Sequence, residues 1–132
     1  KILKQDRLTA VLVDTEKGFF GIVNVPNELD AFYKVLGCSC IDITVRRIGT
    51  ANFEIICDDE GLLVESPRIS AINNLGRPQL VGNLLIVGRG DAEGNLTSLT
   101  NEEANYILGK VQLLTTQKIK TPYPILTQCE YA

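Results

Sequence analysis

Two short apolar runs near the start of the chain place the strongest constraint on its fold. Residues 8–14 and 19–25 are apolar and rich in β-branched side chains, and residues 15–18 between them end in Gly18. Runs of this length on either side of a glycine-containing turn are typical of a β-hairpin, because glycine readily adopts the positive φ that such turns need. Since 132 residues suffice for one domain with one core, we predict a single domain over 1–132 that opens with antiparallel sheet.

A helical pattern follows the hairpin. Apolar side chains recur three and four residues apart from Leu29 onward, so they share one face of a helix. Asn27 precedes them as a candidate N-cap, and Gly37 follows them as a stop signal. These features predict a helix over 28–36.

A second helix is predicted near the end of the chain. Thr100 and Glu103 have the residue types and spacing of a capping box, and apolar side chains continue after them at helical spacing. We therefore predict a helix over 101–114. The tail that follows, 115–132, carries two closely spaced prolines and is expected to be extended, either as an added edge strand or as a cover for the sheet.

Between the helices the apolar period changes to two. Ile41, Ile43 and Val45 alternate with polar residues, which predicts a strand with these three side chains on its buried face. Phe53 and Cys57 follow a turn and continue the inward face on a return strand. The middle of the chain is therefore predicted to be antiparallel sheet.

The rest of the middle region has a less regular pattern. Residues 62–64 are predicted to form the third strand of a meander, and residues 66–74 to form a loop with one helical turn at most. Both alternating sets are apolar over 79–87, as in a strand covered on both faces, although Gly82 interrupts it. Residues 96–99 predict a short edge strand. The expected fold class is α+β and mainly antiparallel, with a hairpin, a helix, a three-stranded meander, a further central strand and a second helix.

Composition excludes several classes of function. The chain contains no histidine, so it lacks the commonest general base and the usual catalytic triads, and we expect a protein that is not an enzyme and needs no cofactor. The formal net charge of −3 argues against binding duplex DNA, which requires a basic surface, but it leaves small anions as possible ligands. No apolar stretch approaches the roughly 20 residues needed to cross a bilayer. The first residues lack the apolar core of a signal peptide, so we expect a cytoplasmic protein without membrane contact.

The four cysteines do not predict a disulfide scaffold or a metal site. They are too few and too unevenly spaced for the first, and they lack the paired short spacings of structural zinc. Without histidine, the usual partner that lowers a thiol pKa for nucleophilic catalysis is missing. We expect buried or half-buried reduced thiols at the positions Cys38, Cys40, Cys57 and Cys129.

The arginines of the middle third are the most informative polar residues. They are Arg46, Arg47, Arg68, Arg77 and Arg89. A guanidinium group pairs with phosphate or carboxylate through two parallel hydrogen bonds, so these side chains are candidates for an anion site if the fold brings them together. The alternative is that they are solvated surface cations that balance nearby acidic residues such as Glu54. Strict alternation after Val45 predicts that Arg47 points inward, where it needs a partner or access to water.

Several segments resemble a family of small, uncharacterised proteins from phages, plasmids and other bacterial mobile elements, known only as a domain of unknown function. The similarity covers about residues 20–114. The segments that carry it are the helix Leu29 to Gly37 leading into Cys40-Ile41-Asp42, Ile56-Cys57-Asp58-Asp59-Glu60-Gly61-Leu62-Leu63, Pro67, Leu80-Val81-Gly82-Asn83-Leu84-Leu85-Ile86-Val87 and Leu96-Thr97-Ser98-Leu99-Thr100. The resemblance implies an α+β fold and a mobile-element setting, and it implies no particular reaction.

That setting favours a phage or mobile-element anti-defence protein that binds and sequesters a small nucleotide-type signalling molecule in the host cytoplasm. The expected site uses arginine on phosphate, an aromatic ring on the base, and hydroxyl and amide groups on the sugar. The candidate ligand-binding residues are Arg46, Arg47, Arg68, Arg89, Tyr33, Phe53, Ser66, Asn73, Asn74, Asn83, Thr97 and Ser98. A homo-oligomer with sites at subunit boundaries is compatible with such a binder. The alternative is a protein-binding inhibitor of a host defence or restriction component.

Overall fold

The structure is a computed structural model that describes residues 4–63, 67–115, 117 and 121–132. Within these residues it contains ten strands, two helices and one 3₁₀ turn. The strands are β1 (Arg7–Asp14), β2 (Phe19–Pro26), β3 (Ile41–Ile48), β4 (Ala51–Asp58), β5 (Ile69–Ile72), β6 (Pro78–Val81), β7 (Leu84–Val87), β8 (Val111–Leu114), β9 (Tyr123–Leu126) and β10 (Cys129–Tyr131). The helices are α1 (Leu29–Leu36) and α2 (Asn101–Leu108), and the 3₁₀ turn is Gly61–Leu63.

The strands form two sheets. The larger has six strands in the order β10-β3-β4-β7-β1-β2, and all of its pairings are antiparallel. The smaller has four strands in the order β6-β5-β9-β8, in which β5 and β9 run parallel. The predicted α+β class with mainly antiparallel sheet is confirmed.

The central strands of the six-stranded sheet are covered on both faces. α1 packs on one face, where Phe32 joins a buried cluster with Ile56 of β4. The four-stranded sheet and α2 pack on the other face, where Leu126 and Ile107 join a second cluster with Ile55. Because both faces of the central strands are dry, β7 is apolar throughout.

The opening hairpin and the first helix are confirmed. β1 and β2 pair over their full length, and Gly37 ends α1 in a left-handed conformation (φ 68°) that suits glycine. The predicted N-cap is wrong, because Glu28 holds the cap position without a side-chain cap bond. Asn27 instead donates its side-chain N–H to the Gln5 carbonyl at 2.8 Å, so its amide ties the start of the chain to the start of the helix.

The predicted buried face of β3 is wrong. Ile43 and Val45 are exposed, whereas Arg46 and Ile48 are buried, and Arg47 points out rather than in. Ile43 and Val45 lie on the face that carries α1, but the eight-residue helix reaches only about 12 Å and does not cover them. Alternation identified the two faces of this strand but not which of them the second sheet would cover.

Tertiary pairing also overturns the predictions for 62–64 and 66–74. Residues 61–63 form the 3₁₀ turn rather than a third meander strand, closed by a bond from Leu63 N–H to the Glu60 carbonyl at 2.9 Å. Residues 69–72 form β5 rather than a loop, because they pair with both β6 and β9. Residues 64–66 lie outside the described part of the chain.

The single strand predicted over 79–87 is two strands in different sheets. Gly82 (φ 76°) redirects the chain between β6 and β7, so the interruption seen in the sequence is a junction between sheets. The edge strand predicted over 96–99 is also wrong. That segment is irregular, although Leu99 N–H donates to the Thr9 carbonyl at 2.9 Å and holds it against β1.

The second helix is confirmed in position but is shorter than predicted. Its capping box between Thr100 and Glu103 is present, and the helix ends before Gly109 rather than at 114. Residues 111–114 form β8 because they pair with β9. In the described part of the tail, β9 belongs to the smaller sheet and β10 forms one edge of the larger sheet, as expected of an extended segment. Of the helices in the described residues, neither has the length and apolar character required to span a membrane.

Candidate functional site

A buried guanidinium group lies at the β10 edge of the six-stranded sheet. Arg46 of β3 pairs with Tyr131 of β10 and is only 7% exposed. Its Nε donates to Thr44 Oγ1 at 3.1 Å, whereas its Nη1 is buried with no hydrogen-bond partner among the described residues. Burying a cation with an unsatisfied N–H is costly. Arg46 therefore places at this edge a buried positive charge whose N–H donors are only partly paired with acceptors of the described residues.

The ring of Tyr131 covers this guanidinium group. Cζ of Arg46 lies 4.1 Å from the ring centroid, within the range of a cation–π interaction. Tyr131 is nevertheless 75% exposed. The cation thus holds the ring from one side, while its other side is accessible from solvent for stacking.

Tyr131 also lines a surface cleft of about 450 Å³. The cleft lies between the β3–β10 edge and the β5–β6 hairpin of the smaller sheet. Its lining is polar and contains two arginines, two amides and one carboxylate beside the aromatic ring. The lining residues are Arg47, Asn73, Arg77, Gln79, Glu130 and Tyr131.

The turn between β5 and β6 presents Arg77 to the cleft. Asn73 Oδ1 accepts from the N–H groups of Leu75 and Arg77, at 2.9 Å each. Asn73 N–H in turn donates to the Arg77 carbonyl at 3.0 Å. A turn closed by its own side chain fixes the backbone that carries Arg77. The side chain of Arg77 is exposed and so is accessible to an anion in the cleft.

Arg47 and Glu130 form an ion pair at the same edge. Arg47 Nη2 lies 2.5 Å from Glu130 Oε2, and both side chains are partly exposed. Solvent-exposed pairs of this kind contribute about 1 kcal/mol or less, because water and salt screen them. An incoming anion can therefore displace Glu130 from Arg47 at small cost.

Two buried thiols lie within reach of the Arg46 charge. Burial raises the pKa of Cys57 and of Cys129 to about 11, and the positive charge of Arg46 acts in the opposite direction on both. At neutral pH both thiols are protonated and are poor nucleophiles. The prediction of buried or half-buried thiols is confirmed for these two and for Cys38, and it is wrong for Cys40, which is exposed.

Two other predicted site residues, Arg68 and Asn83, lie in a separate and smaller cavity. Arg68 donates to the Thr15 carbonyl and lies over the ring of Tyr123, 5.5 Å from its centroid. Asn83 accepts from Thr15 N–H at 2.8 Å and donates to the Leu36 carbonyl at 3.4 Å. Both side chains hold the β1–β2 turn in place, so the structure does not bring them to the cleft.

The loop after β7 carries three more predicted residues, and none lines the cleft. Thr97 Oγ1 accepts from Gly90 N–H at 3.2 Å, and Ser98 Oγ accepts from Thr9 N–H at 2.9 Å. These bonds close the loop and fasten it to β1. Arg89 is exposed on the same loop.

The remaining predicted residues are also dispersed. Tyr33 lines a shallow depression at the end of α1, and Asn74 is exposed in the β5–β6 turn without lining the cleft beside Asn73. Phe53 is buried in the core and is inaccessible to a base. Ser66 lies outside the described residues.

The sequence did not identify Tyr131, Glu130 or Gln79, and it identified Arg77 only as one arginine among five. β10 pairs with β3 across about 80 residues of chain, and no local pattern reports such a pairing. The alternation in 129–131 was the available signal. This alternation predicts a strand but does not indicate which strand pairs with it.

Comparison with known families places the chain. Residues 8–112 match the family described as a domain of unknown function, DUF3846. The chain belongs to this family. The predicted membership of an uncharacterised domain family is therefore confirmed. No curated protein and no solved structure matches the chain significantly. The DUF3846 region includes Arg46, Arg47 and Arg77, whereas Glu130 and Tyr131 lie beyond it.

Proposed function

We propose that this DUF3846 protein is a non-enzymatic binder that sequesters a small anion of nucleotide type in the cleft between β10 and the β5–β6 hairpin. One observation carries the proposal: Arg47 and Arg77 line the same cleft as the exposed ring of Tyr131. Guanidinium groups bind phosphate through paired N–H donors, and an aromatic ring stacks on a base. A nucleotide carries both of these groups on one molecule.

The residues of the cleft have distinct roles in this proposal. Arg47 and Arg77 bind the phosphate groups, and the outer side of the Tyr131 ring stacks on the base. The amides of Asn73 and Gln79 bind sugar hydroxyls or base edges. A volume of about 450 Å³ lies within the range of small-molecule sites. Arg46 acts indirectly, by holding the Tyr131 ring and adding positive potential behind it.

The chemistry of the lining favours binding over turnover. The chain has no histidine, and the carboxylate of the cleft, Glu130, is paired with Arg47. We therefore infer that the ligand leaves the cleft intact.

The biological setting is part of the same proposal. The sequence resembles proteins of phages, plasmids and other mobile elements, and such proteins gain from removing a host defence signal. We infer that the protein acts in the host-cell cytoplasm as an anti-defence sponge.

Titration calorimetry tests the proposal with a panel of cyclic nucleotides and ADP-ribose-type nucleotides. We expect stoichiometric uptake of one panel member, which is recovered intact after heat denaturation. Arg77→Ala should weaken uptake by about 10- to 100-fold, the usual effect of losing a hydrogen-bonded charge. Arg89→Ala is the matched control, since it removes an exposed arginine outside the cleft, and it should leave affinity unchanged.

Three results would count against the proposal. No uptake of any panel member would contradict binding of this ligand class. Recovery of a degraded ligand would indicate an enzyme. Absence of uptake together with a host protein that co-purifies in fixed ratio would favour the protein-binding inhibitor.

A further inference from the structure

The opposite edge of the six-stranded sheet is an uncharged strand. β2 is eight residues long, Phe19–Pro26, and none of its side chains carries a charge. It pairs with β1 on one side, and no described strand pairs with its other side. Long, uncharged and apolar edges readily accept another strand, which is why most proteins protect them with charge, proline or a covering segment.

The hydrogen bonds of β1 show which backbone groups of β2 point away from the sheet. Thr9 pairs with Asn24, yet Thr9 N–H donates to Ser98 Oγ and the Thr9 carbonyl accepts from Leu99 N–H. Thr9 and Asn24 are therefore a non-hydrogen-bonded pair of the antiparallel ladder. Since the two kinds of pair alternate, the N–H and C=O groups of Phe20 and Ile22 also point outward.

The open part of this edge is short and well defined. The Arg7 side chain donates to both the side-chain oxygen and the carbonyl of Asn24, which occupies the edge at that residue. Proline ends the strand at Pro26 and offers no N–H. The backbone that remains accessible is therefore centred on Gly21, between Phe20 and Ile22.

The side chains around Gly21 are large, apolar and exposed. Phe19 is 46% exposed, Phe20 is 36% exposed and Ile22 is 45% exposed. Because side chains alternate along a strand, Phe20 and Ile22 lie on one face of the sheet, and Phe19 and Val23 lie on the other. Each face thus carries one aromatic and one β-branched side chain, placed symmetrically about Gly21.

We propose that β2 pairs antiparallel with β2 of a second copy of this chain, across a twofold axis at Gly21. In this register the outward N–H and C=O groups of Phe20 bond to those of Ile22 in the other copy. Phe20 then lies beside Ile22 on one face, and Phe19 lies beside Val23 on the other. Aromatic and β-branched residues are favourable cross-strand neighbours, so the strand is complementary to itself.

The symmetry of the strand supports a second copy as the occupant, because each copy presents the aromatic and β-branched side chains that the other requires as neighbours. Each copy has a net charge of −3, and the register places Lys17 of one copy near Arg7 of the other, so charge weakens the contact and we expect a weak dimer. The Gly21 pair has no side chains, which lets the two backbones approach at the axis.

Sedimentation and light scattering on the full chain test this proposal, with amide hydrogen exchange as a second readout. The wild type should be a dimer at about 0.1 mM, a concentration at which a weak twofold interface is populated. Ile22→Lys and Ile22→Pro should both weaken the dimer and raise its dissociation constant by at least about tenfold. The proline variant is diagnostic because Ile22 N–H does not bond to β1. Replacing Ile22 with proline therefore removes a hydrogen bond between the two copies and none within the hairpin.

Ile43→Lys is the matched control, because Ile43 is 41% exposed on β3, which β4, β7 and β1 separate from β2, so the substitution should leave the dimer intact. A monomeric wild type would overturn the proposal, and so would a dimer that Ile22→Lys leaves unchanged.

If the Ile22 variants do not fold, the hydrogen exchange of the wild-type Phe20 and Ile22 amides decides. Protection that increases with protein concentration supports pairing, while protection independent of concentration shows that the chain covers its own edge and overturns it. None of these outcomes depends on ligand binding in the cleft.

Discussion

The two edges of the six-stranded sheet differ in nearly every property that decides what a sheet edge can bind. The β10 edge is three residues long, and a guanidinium group, an ion pair and an exposed tyrosine surround it. β2 is eight residues long and none of its own side chains is charged, although the Arg7 side chain of β1 reaches its edge at Asn24. The same sheet therefore ends in a polar cleft on one side and in an apolar strand with accessible backbone on the other.

This contrast shows that the two edges suit different kinds of ligand. The guanidinium groups at the β10 edge are suited to bind a small anion. The outward N–H and C=O groups of β2 are suited to pair with another strand. Both edges depend on the same central strands, β4, β7 and β1, whose buried side chains fix the distance and twist between them. The following predictions test this comparison in order of expected effect.

The largest effect is expected in the shared core. Ile86 of β7 is fully buried in the sheet between the two edges, so Ile86→Ala should reduce the free energy of unfolding by about 2–5 kcal/mol. Urea denaturation measures this change. Ile43→Ala removes an exposed side chain instead and should cost well under about 1 kcal/mol. Equal costs for the two substitutions would contradict the burial described for β3 and β7.

A smaller effect is expected from Tyr131. Tyr131→Ala removes the ring proposed to stack on the base and should weaken nucleotide binding by about 1–3 kcal/mol, as calorimetry would record. Tyr131→Phe keeps the ring and the contact with Arg46, so it should bind within about twofold of the wild type. If both substitutions weaken binding equally, the hydroxyl group rather than stacking makes the contact.

The sequence predicted local elements well and the cleft poorly, and the reason is physical. The hairpin, the capping box of α2 and the stop at Gly37 depend on residues close together in the chain, so local patterns identify them. The cleft depends on which strands become neighbours. Arg46 is buried because the Tyr131 ring of β10 and the elements packed on its face of β3 cover it, and no pattern within β3 predicts those contacts.

Site residues follow the same rule. Arg47 and Asn73 were predicted and line the cleft, while Arg68 and Asn83 were predicted with equal reason and instead hold a turn. Residue type suggested what each side chain can bind, but only the fold decided which side chains meet.

Stability should also fall at alkaline pH, where the two buried thiols ionise more readily in the unfolded protein. Burial raises the pKa of Cys57 and Cys129 from 9.0 to about 11, so these thiols ionise less readily in the folded than in the unfolded protein. Above pH 9 the unfolded state therefore binds fewer protons than the folded state. The contribution of the two thiols to stability is constant below pH 9 and is lost as the pH rises toward about 11. Thermal unfolding at successive pH values measures this slope.

A double variant, Cys57→Ala with Cys129→Ala, is the control for the alkaline effect. It should flatten the decline between pH 9 and about 11, although it lowers stability at neutral pH through lost packing. An unchanged slope would assign the decline to other groups.

The smallest effect is expected from the ion pair at the β10 edge. Glu130→Gln removes a negative charge from the cleft and should change the free energy of unfolding by less than about 1 kcal/mol. The same substitution should strengthen nucleotide binding several-fold at low salt, because Arg47 no longer has a competing carboxylate. Weaker binding in this variant would show that Glu130 contacts the ligand rather than competing with it.

Mass spectrometry of the small molecules released on heating tests the central claim most directly. Wild-type protein purified from cells that produce a nucleotide defence signal should release an intact phosphate-bearing nucleotide in near-stoichiometric amount. The double variant Arg77→Ala with Tyr131→Ala, purified from the same cells, should release little or none. Release of no nucleotide by the wild type, or equal release by both proteins, would contradict binding in the cleft.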